Sequence, residues 1–313
     1  MTPQHFAILL LVCIAWGGHF TVMKLAMEGA QPFFYVTMRM GLVALILSPR
    51  LKWHAGKMPQ LLLGGLAFGC LNYLFFFSGM RMTPASVGAV TIELYMPIAT
   101  ILSVIFLGET IGWRRGVGLI LAFAGVVIVA LSGHEVAADP AASNSVLFGV
   151  LLIVGGAFSE AVGAITIKKT TGIKPLEMLA WFGVVGVVGA GGMSLLFERD
   201  QLSAFDPEHR GATLGTLTYS VLVASLFGHA TYYWLLQRVD VSILTGAGLM
   251  TTIIGVLSAA LILGDELTVS FLIGGMTALV GVAIIVVRSA KKNADTAPVA
   301  ASGVAPLPGS MDI

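Results

Sequence analysis

Ten long, continuously apolar runs constrain the fold of this chain more than any other feature. A helix that crosses about 30 Å of hydrocarbon needs about 20 apolar residues. Runs of roughly that length lie at about residues 6–27, 32–49, 59–80, 84–107, 113–133, 145–168, 175–197, 213–237, 241–263 and 268–288. They lack the alternation of apolar and polar residues that a membrane β-barrel requires. The sequence therefore predicts an all-α integral membrane protein with ten transmembrane helices.

The composition excludes the soluble classes of protein. Hydrophobic residues make up 57% of the 313 residues and charged residues only 11%, whereas a soluble domain carries about 25% charge. A net charge of +1 leaves no polybasic face, so no nucleic acid partner is expected. Cys13 and Cys70 both lie inside apolar runs, so neither a disulfide framework nor a cysteine-based metal site is expected.

The distribution of Lys and Arg predicts the orientation in the membrane, because cytoplasmic loops carry an excess of these residues. With the N-terminus inside, twelve of the 17 Lys and Arg residues lie on the cytoplasmic side and three on the other, while Lys24 and Arg39 lie within runs. Both termini are therefore expected in the cytoplasm. Residues 289–313 are rich in Ala, Pro, Gly and Ser and are expected to form a disordered tail.

The two halves of the chain share a pattern. A shift of 156 positions lays the Leu-Gly-Glu of residues 107–109 on the Leu-Gly-Asp of residues 263–265. Chance recurrence of common apolar residues is the alternative explanation. If the halves are related, five helices each make the second copy inverted, as in many secondary transporters. We therefore expect one five-helix repeat over residues 6–133, an inverted repeat over residues 145–288, and a substrate site at the midplane between them.

Short motifs in a fixed order are shared with a known family. They are Trp16-Gly17, Phe20 and Lys24 on the first run, Pro32 and Arg39 on the second, Ala-Ser-Val-Gly-Ala at residues 85–89 before Pro97, and the Leu-Gly-Glu of residues 107–109. Their arrangement resembles EamA-type members of the drug/metabolite transporter superfamily over residues 6 to 288. The resemblance implies secondary transport of a small metabolite, often an amino acid, by export or exchange across a bacterial inner membrane. The second half departs from the pattern, with Ile253 where symmetry would place the partner of Pro97.

Polar groups inside the runs indicate where a substrate binds. An ionisable side chain at the centre of a membrane span costs about 3 kcal/mol or more, so each one needs a partner or a cavity. Such groups from both halves lie at similar depth, since a helix rises about 1.5 Å per residue. The expected substrate-binding residues are Trp16, His19, Asn72, Tyr73, Glu93, Tyr95, Glu160 and His229, with Arg39 as a structural or coupling charge.

A charge balance follows from three of these residues. Arg39 and Glu93 belong to the same half and lie at nearly equal depth, which predicts that they form a pair. Glu160 is then left without a fixed cation. It is expected either to exchange a proton for substrate or to make a structural hydrogen bond.

Other classes of function receive less support from the sequence. No nucleotide-binding, zinc or hydrolase motif is present, so no cofactor, no metal and no enzymatic activity are expected. A sugar, nucleotide-sugar or drug transporter of the same fold is the nearest alternative. An intramembrane enzyme that uses Ser159, Glu160 and His229 is a remote one. The expected partners are a small-molecule substrate and membrane lipid. Proton exchange, substrate exchange and facilitated diffusion remain open alternatives; a monomer is sufficient, and a dimer is an open alternative.

Overall fold

The computed structural model describes residues 2–108, 110–136, 140–170, 172–236 and 241–296. The described residues form helices joined by short connections and contain no β-strand. The prediction of an all-α protein is therefore confirmed.

The described part of the first half is built from five helices. They are α1 (Pro3–Gly29), α2 (Pro32–Leu47, followed by the 3-10 turn Ser48–Arg50), α3 (Met58–Met82), α4 (residues 85–107) and α5 (Trp113–Val136). Proline occupies the first turn of α1 and α2, where its missing N–H is not needed. At the end of α4, Gly108 adopts a left-handed conformation with φ of 67°, which glycine reaches without strain.

The described part of the second half also contains five long helices. Its helices are α6 (Pro140–Lys169), α7 (Pro175–Phe197), α8 (residues 210–236), α9 (residues 241–263) and α10 (Val269–Thr296), with a short 3-10 helix, Gln201–Phe205, before α8. At the end of α9, Gly264 is left-handed with φ of 74°, as Gly108 is at the end of α4. Glu109, the acidic residue of the first Leu-Gly-Glu motif, lies outside the described residues.

Eight of the described helices, α1 to α7 and α10, are long and apolar enough to cross a membrane. α9 contributes a shorter apolar segment, Gly248–Leu263. Large apolar side chains such as Ile120, Leu195 and Leu261 are 70 to 83% exposed and cover the outside of the helix assembly. Such a surface is stable in lipid and costly in water, so the chain is a multi-pass membrane protein.

The start of the expected tail differs from the sequence prediction. α10 continues to Thr296 and so includes the first eight residues of the segment 289–313. Ala and Lys residues in this stretch have high helix propensity and extend the helix. The rest of the tail lies outside the described residues.

Helices from the two halves pack in exchanged pairs. The most extensive contacts join α5 to α10 and α2 to α7. α1 packs against α8 and α9, and α6 packs against α3 and α4. Each of these contacts has a counterpart in which the first-half and second-half helices have changed places.

Glycine permits the closest of these approaches, between α5 and α10. A Cβ atom added at Gly125 would lie 2.2 Å from the backbone nitrogen of Ala278, and one added at Gly274 would lie 2.8 Å from that of Val129. Small residues of this kind let helix backbones pack closely in membranes, where apolar side chains are equally well accommodated by lipid.

Candidate functional site

A cavity of about 220 Å³ lies among helices from both halves of the chain. Its walls come from α1, α2, α3, α4, α6, α8 and α9. Seven of the nine residues predicted from the sequence line it: Trp16, His19, Arg39, Asn72, Tyr73, Glu160 and His229. The apolar part of the wall includes Phe20, Met23, Phe68, Phe76 and Ile92, which the sequence prediction did not include.

Arg39 is the fixed cation of this cavity and is only 2% exposed. Its guanidinium carbon lies 4.5 Å from the ring centroid of Tyr73, within cation–π distance. Its Nη2 donates a hydrogen bond of 3.1 Å to the hydroxyl of Ser225 on α8. Its Nε and Nη1 atoms are buried and have no hydrogen-bond partner among the described residues.

The predicted pair of Arg39 and Glu93 is not formed. Glu93 is buried, does not line the cavity, and accepts a hydrogen bond from the hydroxyl of Thr252 on α9. The prediction used depth alone, and depth does not define the direction in which a side chain leaves its helix. In the structure Arg39 faces α3 and α8, whereas Glu93, in a 3-10 turn of α4, faces α9.

Glu160 is the carboxylate of the cavity. The amide nitrogen of Asn72 donates to its Oε2 atom at 3.2 Å and also to the carbonyl of Gly156 at 3.0 Å. Asn72 thereby joins α3 to two adjacent turns of α6. Among the described side chains, no Lys or Arg nitrogen lies within 4 Å of the Glu160 carboxylate.

The two cavity histidines are held by a segment of α8. His19 Nε2 lies 2.8 Å from the Ser220 hydroxyl, which is also 3.0 Å from the hydroxyl of Tyr35. His229 Nδ1 lies 2.9 Å from the carbonyl oxygen of Ser225. The segment Tyr219–Phe227 has wide π-type turns, so the Ser225 hydroxyl reaches the carbonyl of Ser220 five residues earlier. Such turns are frequent at functional sites.

The aromatic wall is built around Trp16. Its indole N–H donates to the carbonyl of Ala224 at 2.9 Å, and its ring lies 5.5 Å edge-on from His229 and 5.3 Å from Tyr232. Tyr95, the other predicted residue outside the cavity lining, is half-buried and packs against an apolar cluster that includes Leu94 and Ile98.

The structure adds polar residues that the sequence prediction missed. Ser220, Ser225 and Thr252 hold the key side chains, but a lone hydroxyl in an apolar run carries no distinguishing signal.

Ser159 does not line the cavity with Glu160 and His229, so the three residues of the enzyme alternative are not brought together there. Among the described residues there is no cluster of His, Cys, Asp and Glu that could hold a metal ion.

Comparisons with known proteins agree over most of the chain. The model of the EamA-like transporter family matches residues 5–131 and 147–287. A probable amino-acid metabolite efflux pump of Escherichia coli is 26% identical over 300 residues, covering 91% of this chain and 95% of that protein. Its namesake in Salmonella typhimurium is 26% identical over 296 residues, with the same coverage of 91% and 95%.

A more distant relative and a solved structure extend this likeness. An uncharacterized transporter of Archaeoglobus fulgidus is 23% identical over 291 residues, covering 90% of this chain and 99% of that protein. A crystal structure superposes with a TM-score of 0.61 at 16% identity, covering 93% of this chain and 99% of that one. At this identity the structural likeness concerns the fold alone.

Proposed function

This chain belongs to the EamA-like transporter family, and on that premise we propose that it is a secondary transporter of a small metabolite. The substrate that we propose is an amino acid, moved by export or exchange across a bacterial inner membrane. The names of the two efflux pumps support this class of substrate. Both termini are proposed to lie in the cytoplasm.

The observation that carries this proposal is the chemistry of the cavity. A buried arginine, Arg39, and a half-buried glutamate, Glu160, line a single space whose other walls are mostly aromatic and apolar. A zwitterion with an apolar side chain has matching groups. The volume of about 220 Å³ is below the roughly 300–1,000 Å³ of pockets for drug-sized ligands, which favours an amino acid over a nucleotide sugar.

We propose alternating access by two inverted five-helix repeats, with ten membrane spans in all. The exchanged helix pairs support this arrangement, and so do Gly108 and Gly264, which end α4 and α9 in the same left-handed conformation. In such transporters the substrate site lies between the repeats near the bilayer midplane. Rocking of the repeats would open the cavity to each side of the membrane in turn.

Protons are the proposed coupling partner, and Glu160 is the proposed carrier. Its carboxylate lines the cavity and receives a hydrogen bond from a neutral amide. Such a group can bind a proton or the ammonium of an amino acid, and these two events exclude each other. The other titratable or charged groups that line the cavity are His19, Arg39, Tyr73 and His229.

The proposal is tested by counterflow in proteoliposomes that contain the purified protein, with radiolabelled amino acids, sugars and lipophilic cations. We expect accumulation of at least one amino acid above protein-free liposomes. Tyr73→Ala and His229→Ala should each lower the rate about 10-fold or more, because both side chains line the cavity. Arg81→Gln, which removes an exposed side chain outside the cavity lining, should leave the rate unchanged.

Counterflow of sugars or cations without any amino acid would contradict the proposed substrate. Absence of counterflow for every class would contradict transport itself. Full activity in both alanine variants would mean that the substrate binds elsewhere.

A further inference from the structure

Arg39 has two buried side-chain nitrogens, Nε and Nη1, that lack a hydrogen-bond partner. In the described part of the chain, no other buried side-chain nitrogen or oxygen lacks one. A buried charged group with unused donors is costly unless a ligand or an ion completes its hydrogen bonds. Because Arg39 lines the cavity, the group that completes them can enter from the cavity.

The geometry of the guanidinium defines the shape of that group. Nη2 carries one hydrogen on each of the two forked edges, and the Ser225 hydroxyl accepts one of them. The other edge keeps both of its N–H donors, one from Nη2 and one from either Nε or Nη1. Two parallel donors on one edge match the two oxygens of a carboxylate.

Two neighbours hold the guanidinium in place for this role. The Tyr73 ring lies against it at 4.5 Å, and Ser225 anchors one nitrogen from α8. Both nitrogens without a partner are shielded from solvent, so a carboxylate would meet donors that have already lost their hydration. Access to them requires the covering side chains to part, as alternating access would provide.

The opposite charge lines the same cavity. Glu160 is held by Asn72, the residue that precedes Tyr73 in α3, so one stretch of α3 orients both the acid and the arginine. A substrate that carries an ammonium beside its carboxylate would match both charged side chains, Glu160 and Arg39.

We propose that Arg39 binds the carboxylate of the transported metabolite and that the protein therefore selects carboxylate-bearing substrates over the corresponding amides and amines. This assignment rests on the proposed function and deepens it. An amide or amine would leave the buried guanidinium without its anionic partner, which weakens binding strongly.

The test compares matched ligands in the wild-type protein. L-Alanine, L-threonine, L-leucine and L-phenylalanine are each measured with their amide and their decarboxylated amine, as unlabelled competitors of labelled amino acid counterflow. We expect the amides and amines to require concentrations at least about 10-fold higher than the acids for half-inhibition. Equal inhibition by acid, amide and amine would overturn the role of Arg39 while leaving transport established.

Variants of Arg39 test whether its guanidinium is the source of the selectivity for carboxylates. Arg39→Gln should bring acid and amide to equal affinity, and Arg39→Lys, which keeps the charge but not the fork, should restore only part of the preference. Arg81→Gln is the matched control and should keep the full preference, because Arg81 contacts Gln31 away from the cavity. A folded Arg39→Gln protein with unchanged preference for the acids would overturn the proposal.

The wild-type comparison does not depend on the folding of any variant. Absence of counterflow for every member of the panel would contradict the proposed function, whereas transport without preference for acids would contradict only the assignment of Arg39.

Discussion

At the scale of the residue, the cavity is organised by neutral hydrogen-bonding groups that hold charged or titratable side chains. Asn72 holds Glu160, and the hydroxyl of Ser225 accepts from Arg39. Neither charged group has an ion-pair partner within 4 Å among the described side chains. We therefore propose that a substrate or a proton that enters the cavity compensates their charges.

The Glu160→Gln variant tests whether Glu160 carries the proton. The glutamine keeps the size and the hydrogen-bonding capacity of the side chain but cannot release or bind a proton in the physiological range. We expect proton-driven net transport and its dependence on pH to be lost, while exchange of substrate persists. The measurement is net flux and counterflow in proteoliposomes between about pH 6 and pH 8.

The matched control is Glu93→Gln, since Glu93 lies outside the cavity lining and contacts Thr252. It should keep the pH dependence of the wild type. Full pH dependence in Glu160→Gln would assign a structural role to Glu160 and leave Glu93 or a histidine as the proton carrier.

At the scale of the element, the two halves are joined at helix ends and along helix faces. The Asp265 carboxylate accepts from the backbone N–H and the hydroxyl of Ser86 at the start of α4, at 2.8 and 2.7 Å. Glu198 accepts from the backbone N–H groups of Phe33 and Phe34 at the start of α2, at 2.7 and 2.8 Å. Carboxylates at helix N-termini satisfy otherwise unpaired donors and oppose the positive end of the helix dipole.

The face between α5 and α10 depends on glycine. We expect Gly125→Ala to lower the unfolding temperature of the detergent-solubilised protein, because its Cβ would meet the backbone of α10 at 2.2 Å and force the helices apart. A cost of about 1–3 kcal/mol is typical of such overpacking.

Gly116→Ala on the same helix is the control, because no atom lies within 4 Å of the added Cβ. It should leave the unfolding temperature equal or slightly higher, since alanine favours the helix. Equal unfolding temperatures for the two variants would contradict the close packing of α5 on α10.

At the scale of the whole molecule, the protein has an apolar outer surface and an asymmetric distribution of charge. On the side proposed to be cytoplasmic, the loop after α2 contacts the start of α7: Glu177 lies 3.1 Å from His54 and 3.8 Å from Lys52. Lys52 is 66% exposed there. On the other side, Arg199 follows α7 and is exposed.

Cysteine accessibility in intact bacterial cells tests this orientation. A membrane-impermeant thiol reagent should label Arg199→Cys and leave Lys52→Cys unlabelled until the cells are opened. The native Cys13 and Cys70 are buried and should contribute little background. The reverse pattern of labelling would invert the proposed orientation.

The sequence by itself determined the class of protein, the family and half of the residues that line the cavity. Apolar runs long enough to span a bilayer require helices, because lipid offers no partner for backbone hydrogen bonds. The ordered motifs identified the EamA family, which the family match confirms. Depth along each run placed His19, Asn72 and Glu160 at similar depth, and these residues do line one cavity.

Only the tertiary structure decided which of these groups meet. Runs that are apolar on every side do not show which face of a helix turns inward, so depth paired Arg39 with Glu93 although they face different helices. The π-type turns of α3 and α8 and the 3-10 turn of α4 further change the direction of side chains from that of a regular helix. Contacts such as Asn72 with Glu160 join residues 88 positions apart, and packing between helices determines them rather than any local pattern.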